Sequence, residues 1–232
     1  PRDTPLEDNI IRTIRKNSCE TSALDILRFR RFKVVIDAVN GGASNLLPEL
    51  CEELGCEVVT INCDGDGNFN RNPEPLSSNL KELESKVLEV GADIGFATDP
   101  DGDRLSIVSN SGKAIGEEFT LVLAAMSFDM HINAYIAKYI FLQSDPKLSP
   151  TTLVTNLSTL VTNLSTSQMI DYHRYASVYP VLRSKIGEAH VVKKMQSIGS
   201  VFGGEGNGGV IFKNAHLGRD SLVGAAFILK LL

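Results

Sequence analysis

The chain has 232 residues, 43% hydrophobic and 22% charged, with a formal net charge of −5; this is a globular profile with room for one large domain or two of about 115 residues. The acidic balance argues against a nucleic-acid partner, and no apolar run is long enough to cross a membrane. The opening Pro1-Arg-Asp-Thr-Pro5 is neither a signal peptide nor a start with Met, so a piece of a longer protein is expected, and Cys19, Cys51, Cys56 and Cys63 lack zinc or redox spacing and read as reduced thiols of a cytoplasmic protein.

In chain order, residues 1–31 carry one helical apolar segment and the basic run Arg28-Phe-Arg-Arg31. Lys33-Val-Val-Ile-Asp37 reads as a buried strand, and Val39-Asn-Gly41 as part of a turn. A helix capped by Ser44 follows to Leu54, with Leu46, Leu47, Leu50, Cys51 and Leu54 on one stripe, and 57–61 is the next strand, giving a strand–helix–strand unit. The polar loop 63–75 opens like a calcium loop at Asp64, Asp66 and Asn68. The sixth position is Phe69 and the last is Pro75, so that match fails. Ser77 or Ser78 is expected to cap a helix bearing Leu80, Leu83, Val87 and Val90, ended by Gly91; strands follow at 92–97 and 105–108.

A second unit starts near Gly116, with a helix over 117–128, an apolar stretch over 130–142 and a loop over 144–150. Leu-Val-Thr-Asn-Leu-Ser-Thr then occurs twice, at 153–159 and 160–166. A seven-residue shift turns every strand side chain to the opposite face, so both copies cannot fill equivalent places. The second is expected to do so, with Ser165 and Gln168 as a capping box for a helix over 168–175. Strands at 178–182, 200–202 and 210–212 alternate with helices at 188–198 and 220–232. The sequence thus predicts two similar α/β domains, 1–113 and 114–232, each a three-layer α/β/α arrangement with a mixed sheet between helices.

Three clusters carry chemistry. In Ala97-Thr-Asp-Pro-Asp-Gly-Asp-Arg104, Asp99, Asp101 and Asp103 fall at alternate positions after a strand, where open α/β sheets place ligands. Pro100 and Gly102 let the chain curl, so that the three carboxylates can meet around a hard cation such as Mg²⁺; a solvated acidic turn is the plain alternative. Gly204-Glu-Gly-Asn-Gly-Gly209 spells a dinucleotide fingerprint, but the residues after it are β-like and offer no helix for a pyrophosphate. Glycines such as Gly206 can instead bring backbone close to a ligand while Glu205 and Asn207 offer an acceptor and an amide to sugar hydroxyls; a ligand-free hairpin is the alternative. Arg183-Ser-Lys185 suits a phosphate, and Lys185 a proton transfer, against a solvated basic turn. His131, His173, His190 and His216 show no ligand spacing.

In this order, the clusters resemble the α-D-phosphohexomutase family, which includes phosphoglucomutase/phosphomannomutase and phosphoglucosamine mutase. The resemblance runs from about residue 32 to 232. It is carried by Thr98-Asp-Pro-Asp-Gly-Asp-Arg104 and Gly203-Gly-Glu-Gly-Asn-Gly-Gly209, with support from Val39-Asn-Gly41, Pro73-Glu-Pro75 and Leu217-Gly-Arg-Asp220. It implies Mg²⁺ on Asp99, Asp101 and Asp103, and Arg104 facing phosphate or phosphoserine. Glu205, Gly206 and Asn207 would contact the sugar, and Arg183 with Lys185 would lie by the reacting group. The implied reaction moves a phosphoryl group from a phosphoserine to a hexose phosphate through a bisphosphate. The family's serine motif and phosphate-binding fourth domain are absent from these residues. The resemblance is therefore to the second and third of four domains, expected to be inactive without the flanking ones. Some members carry Ser and His where this chain has Asn207 and Gly209. Asp99-Pro-Asp-Gly also resembles the aspartyl-nucleophile motif of haloacid-dehalogenase-type phosphatases, and a non-catalytic metal- or sugar-binding module is a third reading.

Overall fold

The structure, a computed structural model, describes residues 27–128, 159–172 and 180–232. The first sheet holds β1 (Lys33–Asp37), β2 (Glu57–Ile61), β3 (Ile94–Thr98) and β4 (Leu105–Ser109), in the order β2-β1-β3-β4. β1 runs parallel to β2 and β3, and β4 is antiparallel to β3. The second sheet repeats this plan with β5 (Leu160–Asn163), β6 (Val181–Ser184), β7 (Phe202–Glu205) and β8 (Gly209–Phe212), in the order β6-β5-β7-β8. Again the first strand is parallel to both neighbours and the last is antiparallel. The described helices are α1 (Leu46–Glu53), α2 (Lys81–Val90), α3 (118–128), α4 (Glu188–Ile198) and α5 (Ser221–Leu231).

Strand side chains alternate between two buried layers, as period-two geometry requires. Val35, Ala97 and Val108 pack with Leu83 and Val87 of α2, and Val161 and Ile211 with Val191 and Met195 of α4. The opposite faces, Val34, Ile36, Phe96, Leu105 and Ile107 of the first sheet and Leu160, Phe202, Val210 and Phe212 of the second, enter one common core with α1, α3 and α5. Phe128 stacks on Phe202 at 4.6 Å between centroids, and Phe227 meets both Phe202 and Phe212 edge-on. Helix α5 packs against α1 and β4 on one side and β8 on the other, and residues all around it are buried. No described helix is long and apolar enough to cross a membrane.

The apolar stripes and most strands overlap the predicted positions, but β6 runs on to Ser184 and β7 covers 202–205 where a strand at 200–202 and a glycine-rich loop were expected. The helix at 188–198 has the predicted bounds, whereas the expected serine caps do not form. Ser44 caps nothing: its hydroxyl donates to the Gly41 carbonyl, and α1 begins at Leu46. Ser77 and Ser78 lie in a short 3-10 turn ahead of α2. The Ser165–Gln168 capping box does not form. Ser165 instead bonds the Asn163 side-chain oxygen, and 168–172 is a 3-10 turn. Leu46 and Leu88 are also largely outside the core. The stretches 1–26, 129–158 and 173–179, including Cys19, His131, His173 and the first heptapeptide copy up to Ser158, lie outside the described residues.

The second copy fills β5, and the residues after it show why. Ile170 is fully buried and Asp171 pairs with Arg183 at 2.6 Å. Seven residues earlier, the same positions would bring Asn163 and Leu164, burying an amide and losing the ion pair. Deleting either copy leaves one identical sequence in which β5 and the 167–171 turn keep their side chains. The deletion variant is expected to melt within about 4 °C of the parent in a calorimetric scan, because the sequence of every described element is retained and a small change in chain length between them alters closure entropy only weakly.

Candidate active site

The carboxyl ends of β1 and β3 are braced before the acidic loop begins. Asp37 is wholly buried and pairs with Arg71, which is 8% exposed, at 2.8 Å. Arg71 also donates to the carbonyls of Thr98, Asn72 and Pro73, so it ties the polar loop to the last residue of β3. The other Asp37 oxygen accepts the Val39 amide at 3.0 Å. Val39 (φ 48) and Asn40 (φ 55) are both left-handed, an uncommon conformation for a β-branched residue and a mark of strain beside the site.

In the acidic loop one oxygen each of Asp99, Asp101 and Asp103 lies within 4.8 Å of the other two. Asp99 is 1% exposed. Its Oδ1 accepts the amides of Asp103 and Arg104, both at 3.1 Å, and its Oδ2 accepts Arg104 Nε at 2.6 Å. Burial opposes its charge, but these hydrogen bonds outweigh burial and hold the carboxyl below its usual range. Asp103 goes the other way: burial and the Asp99 charge push it up to about 7, against the pull of Arg219. Its Oδ1 is buried with no hydrogen-bond partner among the described residues. A buried carboxylate oxygen with no hydrogen bond, its nearest cation the Arg104 Nε at 3.8 Å, on one of three clustered carboxylates, is what a hard divalent ion requires of its ligands, so the donor set fits Mg²⁺.

Arg104 is gripped from both sides, by Asp99 and by a two-pronged contact with Glu74 (2.7 and 3.1 Å). Glu74 is held below its ordinary pKa chiefly by that contact. Burial raises Glu117, at the entry to α3, with the Arg104 charge opposing.

The glycine-rich run is a β-hairpin, β7 turning into β8, which rules out a helix for a bound pyrophosphate. Glu205 is 4% exposed; its Oε1 accepts Asn163 Nδ2 at 2.5 Å and the Gly187 amide at 3.1 Å, and its Oε2 accepts Arg219 Nη1 at 3.0 Å. Gly206 is buried and donates to the Thr166 hydroxyl, while Asn207 is partly exposed with its side-chain oxygen toward the Gly209 amide.

The two clusters meet. The Leu105 amide donates to the Gly208 carbonyl at 3.1 Å, and the Ser221 amide to the Gly102 carbonyl at 3.1 Å. Gly208 has φ +92, and a side chain there would run into the Leu105 carbonyl, so the contact needs glycine. Arg219 then reaches across: Nη2 to Asp103, Nη1 to Glu205 and Nε to Glu188 at 3.0 Å. A Cβ on Gly209 would occupy the path of the Arg219 side chain.

Lys185 is exposed at the end of β6, two residues before the Gly187 amide that binds Glu205. Arg183 is not free beside it. It lies within β6, and its guanidinium donates to the carbonyls of Asn163, Thr166 and Ser167 and to Asp171, fastening the turn after β5. His216 pairs with Asp220 at 2.8 Å, which raises its pKa against burial. Glu74, Arg71, Glu188 and Arg219 go beyond the candidates the sequence offered. Glu74 and Arg219 stand inside Pro73-Glu-Pro75 and Leu217-Gly-Arg-Asp220, where the signal was present without a role attached.

Each unit is an α/β/α domain built on one repeated sheet plan. Residues 12–112 match the family model described as phosphoglucomutase/phosphomannomutase, alpha/beta/alpha domain II, and residues 130–232 match domain III. The chain belongs to the phosphoglucomutase/phosphomannomutase family and holds these two central domains. It is 34% identical over 209 residues to the Phosphoglucomutase/phosphomannomutase of Thermococcus kodakarensis, covering 90% of this chain and 41% of that protein. It is 32% identical over 201 residues to a probable phosphoglucosamine mutase of Methanopyrus kandleri, covering 86% and 39%. A phosphoglucomutase/phosphomannomutase family structure from Burkholderia thailandensis superposes with a TM-score of 0.68 at 27% identity, over 91% of this chain and 44% of that one. The chain thus spans about two fifths of the curated relatives' length, and those relatives are phosphomutases by name.

The Asp37–Arg71 brace can be tested directly. Arg71→Met leaves a buried carboxylate without its counter-charge and is expected to cost about 3–5 kcal/mol in urea unfolding. Adding Asp37→Asn to that variant is expected to recover the part of the loss due to the unpaired charge, while the Arg71 hydrogen bonds to the Thr98, Asn72 and Pro73 carbonyls stay lost.

Proposed function

We propose that these residues supply the metal loop and the sugar-recognition hairpin of a Mg²⁺-dependent phosphohexomutase, which interconverts the 1- and 6-phosphates of glucose or mannose through a phosphoserine and a bisphosphate intermediate. The observation that carries this reading is the meeting of the acidic loop and the glycine-rich hairpin in one place, joined by the Leu105–Gly208 hydrogen bond and by Arg219. Neither cluster alone separates a mutase from a metal-binding turn or a bare hairpin. Their convergence supports the mutase reading, because phosphoryl transfer needs charge neutralisation beside a fixed hydroxyl.

Asp99, Asp101 and Asp103 would hold the ion, which when bound neutralises charge on the phosphoryl group in transfer. Arg104, held by Asp99 and Glu74, presents a guanidinium of fixed orientation next to that position. Glu205 and Asn207 orient sugar hydroxyls: the carboxylate is fixed by three donors, and the amide is the more exposed of the two. Lys185, exposed beyond β6, binds phosphate or moves a proton at the reacting hydroxyl. Arg183 takes no part in phosphate binding, since its donors are engaged by backbone and Asp171. The phosphoserine and a phosphate-gripping domain come from sequence flanking these residues, and the 232 residues alone do not turn over. The domain limits are 1–113 and 114–232. The unpaired thiols of Cys51, Cys56 and Cys63 suit a reducing cytoplasm.

A glucosamine-phosphate substrate is the second reading, supported by the similarity to the Methanopyrus protein. An aspartyl phosphatase is disfavoured by Asp99 itself. A carboxylate that is 1% exposed and bonded at both oxygens is a ligand and loop brace, badly placed to attack phosphorus.

Calorimetric titration of Mg²⁺ or Mn²⁺ is expected to show one site in the parent chain and an affinity lower by at least about tenfold in Asp101→Asn, which removes an exposed ligand that braces nothing else. Glucose 1-phosphate is expected to bind in the presence of Mg²⁺ without being hydrolysed and to lose most of its affinity in Glu205→Gln. Radiolabelled phosphate appearing on Asp99 would instead establish the phosphatase.

A further inference from the structure

Arg219 faces three carboxylates from three separate elements. Asp103 belongs to the acidic loop, Glu205 to the end of β7, and Glu188 to the first turn of α4, just beyond Lys185. Each guanidinium nitrogen is assigned to a different one. The backbone directly after the arginine is also anchored to both units, the Asp220 amide on the Val210 carbonyl at 2.9 Å and the Ser221 amide on the Gly102 carbonyl at 3.1 Å. Arg219 therefore cannot drift with one loop and leave the other.

Asp103 divides its two oxygens. Oδ2 accepts from Arg219, while Oδ1 is buried with no hydrogen-bond partner among the described residues, 3.8 Å from Arg104 Nε, and one oxygen of this carboxylate lies within 4.8 Å of an oxygen of each of the other two aspartates. A cation taken up on Oδ1 leaves the contact on Oδ2 in place, so the two can coexist on one carboxylate. Glu205 is divided in the same way: Oε1 is held by Asn163 and Gly187, and Oε2 by Arg219. From the ion position to the hairpin carboxylate runs an unbroken series of charge-assisted contacts through a single side chain.

From this we infer that Arg219 is a positioning residue that makes metal binding at the acidic loop and order in the glycine-rich hairpin mutually dependent. The inference rests on the phosphohexomutase reading for the identity of the two loops, and adds to it a linkage between them. Fixing Asp103 on a cation fixes the Arg219 fork. The fork in turn holds Glu205 in one rotamer before a sugar arrives, so less ordering is left for the sugar to impose. Linkage is reciprocal, so a ligand on the hairpin tightens the metal site by the same factor. A lysine at this position presents one point charge and cannot span three carboxylates in a plane.

Hydrogen exchange read by mass spectrometry on the full 232-residue chain tests this with Mg²⁺ alone. In the parent chain, saturating Mg²⁺ is expected to slow exchange in peptides covering 186–190 and 202–212 by about fivefold or more, although neither contains a metal ligand. In Arg219→Gln and Arg219→Lys, calorimetry is expected to show that Mg²⁺ still binds, while exchange in those peptides no longer responds to it. A merely structural arginine would instead raise exchange equally with and without Mg²⁺. Mg²⁺ binding to the parent chain with no effect on the two peptides overturns the inference and leaves the phosphohexomutase reading standing. No Mg²⁺ binding at all overturns the metal reading and the inference with it. Because the parent chain alone gives this decision, a variant that fails to fold does not spare the proposal.

Discussion

Like charges gathered in a partly buried site repel one another, and the structure is arranged around that repulsion. Asp99, Asp103, Glu205, Glu188, Glu74 and Glu117 converge from both units, and two guanidiniums, Arg104 and Arg219, lie between them. Two cations do not neutralise so many carboxylates. Asp103 shows the deficit, since its carboxyl is pushed toward neutrality while its immediate neighbour Asp99 is held ionised by Arg104. An arrangement of this kind is under-charged on the positive side and has room for a further cation. The same excess explains why arginine stands at both positions. Its planar fork can satisfy several acceptors at once, where an ammonium would serve one.

The repeated sheet plan is what brings these groups together. In each unit three parallel strands and one antiparallel partner follow the same order, and chemistry sits at the carboxyl end of the third strand, β3 or β7. One copy places an acidic loop there and the other a glycine-rich turn. Because the two sheets turn opposite faces to outer helices and share what lies between, the two ends are held side by side. The small residues are part of this. Gly208 meets backbone and Gly209 meets the Arg219 side chain at distances that leave no place for a Cβ.

How much of this could be read in the sequence depends on how far apart the partners are. Strands and apolar stripes came through because their signal is local: Lys33–Asp37 and Glu188–Ile198 occur at the bounds that periodicity predicts. The serine caps did not, because the Ser44 and Ser165 hydroxyls bond nearer acceptors in turns and Ser77 lies in a 3-10 turn ahead of α2. Asp220, a side-chain cap that does form, on α5, lay inside the span predicted for that helix. The acidic trio was legible from spacing alone. Arg219 was not, because its partner Asp103 is 116 residues away and nothing local distinguishes a bridging arginine from a solvated one. Arg183 carries a role that spacing did not show: expected beside a phosphate, it lies within β6 and donates to the carbonyls of the turn after β5.

The layer between the sheets bears on how the molecule comes apart. Two family matches divide the chain into halves, but the apolar interior does not respect that division. Helix α5, at the far end of the sequence, is buried against α1 and β4 of the first half, and Phe128 lies flat on Phe202. Opening either half would expose apolar surface that belongs to the other, so local openings are expected to be confined to outer turns while the remainder melts in one cooperative step. Evolution can treat the halves as separate modules; heat and denaturant meet a single body.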